Sequence, residues 1–177
     1  GARSPLGTGS IEPFLPTTPS RCQLYTMPLP QAEASLAWLE GQGVAQAAVM
    51  LAAAGQQPLS ALQLQGQGVD AALWPKLPSQ IAQGQASAVS GWPVALVVPT
   101  LQKLCHDALC VRLGTEPRFF EAEAFKGLKL GQAAVGALTQ WSKELGRVAR
   151  HDEHPWNAGL MAESLVTQAR RALHSIE

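Results

Sequence analysis

Apolar residues between Val94 and Val111 recur in steps of three and four: Val94, Val97, Leu101, Leu104, Ala108 and Val111. That is the period of one helix face, whereas a strand turns its side chains to opposite faces at every residue. Two further stripes follow the same rule, Ala134, Ala137, Leu138, Trp141, Leu145 and Val148, then Met161, Leu165, Ala169, Ala172 and Ile176. They predict long amphipathic helices over 93–113, 130–150 and 155–175. Each can leave water only against the others, so the three pack as a bundle. Pro99 falls inside the first and is expected to kink or break it.

Shorter pieces precede them. Ala34, Leu36, Ala37, Leu39 and Glu40 predict a short helix ended by Gly41 and Gly43, a second runs over 44–54 to Gly55, and a third starts near Pro58 and stops before Gly66. Segments 70–74 and 79–83 suit short helices. Ala, Leu and Gln dominate throughout, with only three Ile. The expected fold is therefore all-α, a small three-helix bundle followed by a larger helical domain. The boundary is placed at Gln65-Gly66-Gln67-Gly68, a hinge-like composition. This divides the chain into 1–26, 27–68 and 69–177. Its opening, Gly1 to Ser10, has the composition of a linker and predicts a piece of something longer.

Charge removes several functions from consideration. Thirteen basic side chains balance thirteen acidic ones among 177 residues, so no net field gathers DNA or an anionic membrane. Cys22, Cys105 and Cys110 are too few and odd in number for a disulfide framework and suit a reducing compartment. No run approaches the roughly 18 consecutive apolar residues of a membrane span. A soluble, cytoplasmic protein is expected.

Little in the sequence spells chemistry. His151-Asp152-Glu153-His154 could ligate zinc or another divalent ion, and a metal-dependent hydrolase using His151, Asp152 and His154 is one alternative function. Pro155 follows at once, however, and a third and fourth ligand are missing at any familiar spacing, so a polar loop before the last helix is the simpler account. Cys105-His106-Asp107 holds the letters of a thiol triad, but neighbours on a helix point about 100° apart. Cys105 lies on the apolar stripe and is expected to be a buried structural thiol. The pairs Arg147/Arg150 and Arg170/Arg171 are expected to be solvated, leaving a free-standing nucleic-acid adaptor as a second alternative. Phosphate loops of the GxxxxGK[ST] type, GxGxxG fingerprints and GxSxG elbows do not occur, and no cofactor is expected. Trp38, Trp74, Trp92, Trp141 and Trp156 suit core or interface anchors.

One segment is more specific. Phe14-Leu15-Pro16-Thr17-Thr18-Pro19-Ser20-Arg21-Cys22, then Pro28, Pro30 and a short helix with Trp38-Leu39, resembles bacterial DNA polymerase III clamp-loader subunits where the AAA+ domain passes into its helical lid. Gly91-Trp92-Pro93, Leu101 to Asp107, Pro117-Arg118-Phe119-Phe120 and His154 to Leu160 resemble the C-terminal region of the delta prime family of those subunits. The resemblance covers residues 11–177. It implies that 1–26 end an AAA+ nucleotide-binding domain, 27–68 form the lid and 69–177 form an oligomerising collar. It further implies a non-catalytic stator that joins gamma/tau and delta subunits in a ring loading the sliding clamp, touching DNA and clamp only indirectly. Arg21, in Ser20-Arg21-Cys22, would then be an arginine finger acting in trans on a neighbour's ATP. Pro19 stands where the family often carries arginine. The lid segment Gly55 to Leu62 holds no basic residue, so it should not sense nucleotide. Collar contacts are expected from Trp92, Phe119, Phe120, Trp141 and Trp156, because a ring demands a different surface on each side of a subunit.

Overall fold

The computed structural model describes residue 28 and residues 30–128, 130–131, 133–150 and 158–174. Seven α-helices occur among them, with no strand: α1 (Ala32–Gly41), α2 (Ala47–Ala53), α3 (Pro58–Gly66), α4 (Leu77–Ala82), α5 (Val94–Arg112), α6 (Ala134–Ala149) and α7 (Ala158–Leu173). Short 3-10 turns lie at Trp74–Lys76, Ala86–Val89 and Ala122–Phe125.

One capping device closes the first five helices. At the end of α1, Gly43 takes φ 76° and lets the Val44 N–H reach back to the Leu39 carbonyl, which satisfies an orphan acceptor and turns Val44 into the core. Equivalent bonds run from Gln56 to Leu51, Val69 to Leu64, Gln85 to Gln80 and Thr115 to Cys110, each beside a positive-φ glycine. The segment Gln65–Gly68, where the domain boundary is expected, forms the end of α3 and its cap, and Val69 after it is buried.

Several details differ from expectation: α6 begins at Ala134 and not at 130, and the helix expected over 70–74 is a turn leading into the 3-10 turn at Trp74–Lys76. The second helix begins at Ala47, not 44, because Gln46 adopts a left-handed conformation and Val44 belongs to the preceding cap. Pro99 does not end α5: its exposed ring removes one backbone bond, while buried Val97, Val98 and Leu101 hold the helix on both sides of it.

The helices α1, α2 and α3 pack on one another, as do α5, α6 and α7, with α4 against α7. Their apolar faces join one continuous core running from Leu39 to Leu173, in which Trp74, Leu101, Leu138, Leu145 and Leu165 are almost wholly removed from solvent. By length and apolarity α5 matches a membrane span, with a mean hydropathy of 1.3, but half of that window is buried among its neighbours. A core helix of a bundle has the same composition.

Candidate functional site

A dense polar construction sits in the second half of α5. Asp107 has no solvent exposure, an expensive place for a carboxylate unless its lone pairs are occupied. They are. Oδ1 accepts the Arg118 N–H at 2.9 Å, and Oδ2 accepts those of Phe119 at 2.7 Å and Phe120 at 2.8 Å. His106 Nδ1 lies 2.8 Å from Oδ1. The charge-assisted bonds fold the segment after α5 back onto the helix and set the three side chains that follow.

These three residues reach the Trp74 turn and the end of α2. Phe120 stacks on Trp74 with ring centroids 4.8 Å apart and planes inclined by 4°, and Phe125 meets it edge-on at 6.1 Å. The Phe119 carbonyl accepts the Trp74 indole N–H at 3.0 Å. Arg118 donates through Nη2 to the Gly55 carbonyl at 3.2 Å. Gly55 has φ 65°, and a Cβ there would come within 3.0 Å of the Phe119 ring. Through these contacts a single buried carboxylate ties α5 to the Trp74 turn and the end of α2, forming one joint.

Cys110 completes a group with His106 and Asp107 whose donor atoms all lie within 4.8 Å. His106 and Asp107 meet although they are neighbours on the helix, but Cys105 takes no part in that contact. The nearby thiol, however, is Cys110 one turn on, not Cys105. A proton relay needs the sulfur on the ring nitrogen remote from the carboxylate. Here Sγ lies 3.8 Å from Nδ1 and 4.0 Å from Nε2, so it sits beside the ring and not in line with it. A cation among these atoms would face the positive ends of three N–H groups already committed to Asp107. The arrangement is suited to holding backbone in place.

Cys105 points the other way, as the apolar stripe predicts. It is buried, its thiol donates to the Leu138 carbonyl at 3.2 Å, and burial pushes its pKa up to about 12. At ordinary pH it stays a protonated, inert thiol joining α5 to α6.

Arg21 with Ser20 and Cys22, the His151–His154 cluster and Trp156 lie outside the described residues. Phe120 and Trp141 belong to this chain's own core, at 4 % and 3 % exposure. Trp92 and Phe119 are half-buried. Trp92 borders a cleft between the 86–93 segment and the start of α7. The role of Asp107 escaped the sequence reading. Its signal was a carboxylate among the inward positions of an apolar helix. Comparison of the chain with known protein families, with curated proteins and with solved structures finds no match.

Proposed function

We propose that this chain is a non-catalytic lid-and-collar part of a clamp-loader ring subunit of the delta prime kind, a stator that holds other subunits in place. The observation that carries the reading is the Asp107 joint. A stator must transmit position without yielding, and Asp107, Arg118 and Trp74 lock the first three helices to the later bundle by directional, buried bonds. Element order supports it as well: three short helices and then long ones follow the Ser20-Arg21-Cys22 motif, as in the family that the sequence resembles.

On this reading residues 1–26 close an AAA+ domain and the protein works in the cytoplasm beside gamma/tau and delta subunits. Trp92 and Phe119 serve as contact anchors, since Phe120 and Trp141 already fill the core. Arg21 supplies the one chemical contribution. A guanidinium is always charged and forks onto phosphate oxygens, so it stabilises charge developing during hydrolysis in the neighbouring subunit. The test is Arg21→Ala in a chain carrying its upstream nucleotide-binding domain, assembled with the other ring subunits. ATP hydrolysis should fall while the complex still forms, and unchanged hydrolysis would refute the arginine's role.

A further inference from the structure

Between α3 and α5 runs a groove of about 400 Å³, walled by Ala54, Leu96, Pro99 and the Phe119 ring. At one end stand two cations. The Lys103 ammonium lies 5.7 Å from the centroid of Phe119 and 5.8 Å from that of Trp74, and the Arg118 guanidinium lies 5.4 Å from Phe119. Among the described residues the ion pairs are His106–Asp107 and Lys126–Glu123, so no described carboxylate neutralises either cation. Lys103 is half-buried, and loss of hydration lowers its pKa. A desolvated ammonium with ring faces but no anion beside it is a standing cost that a negative ligand relieves.

The remaining polar lining comes from α3 and its cap: Gln57, Ser60, Gln63 and Gln67. Ser60 bonds Gln57 at 3.1 Å, which holds that pair in place. The Gln63 and Gln67 amides are exposed and make no hydrogen bond among the described residues. From 57 to 67 the helix rises about 15 Å, the reach of four or five residues of extended chain. Side-chain amides both donate and accept, as peptide groups do. A row of neutral amides leading to two cations is complementary to a main chain carrying acidic side chains, and too long for a compact phosphate.

We infer that this groove binds an acidic peptide segment of a partner protein, with its carboxylates on Lys103 and Arg118 and its backbone along Gln63 and Gln67. The inference rests on the assembly reading only in taking the partner to be a protein.

The probe is a fluorescein-labelled peptide Ala-Glu-Leu-Glu-Ala, titrated with this chain and read by fluorescence anisotropy. Its counterpart carries Gln for Glu. The acidic peptide should saturate and be released by salt, and the Gln peptide should bind at least about tenfold more weakly. Lys103→Gln and Arg118→Gln should each cost about tenfold, and Lys103→Arg should retain binding. Arg118→Gln also removes the bond to Gly55, so if it loosens the fold in circular dichroism, Lys103→Gln decides alone. Equal binding of both peptides, or none in the millimolar range, overturns the inference. So does inorganic phosphate displacing the peptide at or below the peptide's own half-saturating concentration, which would mark a simple anion site. Because the titration needs no ring subunit, failure here removes the groove and leaves the ring reading to its own co-elution test.

Discussion

Replacing Asp107 by Ala strikes the joint at its centre. The carboxylate is wholly buried and accepts three backbone N–H groups and one imidazole nitrogen. Truncation leaves the Phe120 N–H without a partner inside the protein, while those of Arg118 and Phe119, only part-buried, recover some solvation. One fully orphaned donor and two partly orphaned ones, with the lost contacts of the side chain, amount to about 3–5 kcal/mol. With a urea dependence of ~2 kcal/mol per molar, the unfolding midpoint should fall by about 1.5–2.5 M. Asp107→Asn keeps the shape and one acceptor oxygen, so it should fall about half as far, ~1.5–2.5 kcal/mol. Trp74, stacked on Phe120 and bonded to the Phe119 carbonyl, is a native reporter of the joint. Read in a background where Phe replaces Trp38, Trp92, Trp141 and Trp156, its fluorescence should change in step with far-UV circular dichroism with Asp107 intact and before it for Asp107→Asn. An Asp107→Ala midpoint within about 0.5 M of wild type would refute the argument, since it corresponds to under ~1 kcal/mol.

Further outcomes follow from single residues. Gly55→Ala places a Cβ 3.0 Å from the Phe119 ring at φ 65°, and should cost about 1–3 kcal/mol in urea unfolding. A thiol reagent at pH 8 should modify the part-exposed Cys110 in the folded protein and leave Cys105 untouched until denaturation, as mass spectrometry can show. Burial raises the Cys105 pKa from 9.0 to about 12, so above pH 9 the unfolded chain releases a proton that the folded one keeps. The Cys105 contribution is thus complete below the unfolded value and is lost as pH climbs towards the folded one; Cys105→Ala should flatten that alkaline decline. Zinc titration by calorimetry should reveal no stoichiometric site that His106→Ala abolishes, because Asp107 is already fully engaged.

Helix type was legible because burial itself is periodic. Leu101, Leu104 and Ala108 repeat at helical spacing and are all buried, and Gly43 and Gly55 at predicted stops became caps, whereas α3 runs through Gly66 to a cap at Gly68. The start of α2 was not, since Gln46 in a left-handed conformation has no compositional mark. Pro99 does not break α5 because its cost is local while the packing that outweighs it is tertiary. Aromatic residues carried the greatest ambiguity: Trp141 and Trp92 have one chemistry, and only the packing of α6 decides that the former is core. Asp107 was hidden for another reason. Its partners are backbone groups eleven to thirteen residues away, and side-chain-to-backbone bonds of that range leave no pattern in the order of residues. Lys103 and Arg118, far apart in sequence, share the Phe119 ring only because that knot folds the segment back.

The central claim is assembly, and gel filtration addresses it directly. This chain, mixed at micromolar concentration with purified gamma/tau and delta subunits of a bacterial clamp loader, should elute earlier than any component alone, in a complex containing it in fixed stoichiometry. Elution at its own position, with the other subunits unshifted, would contradict the account.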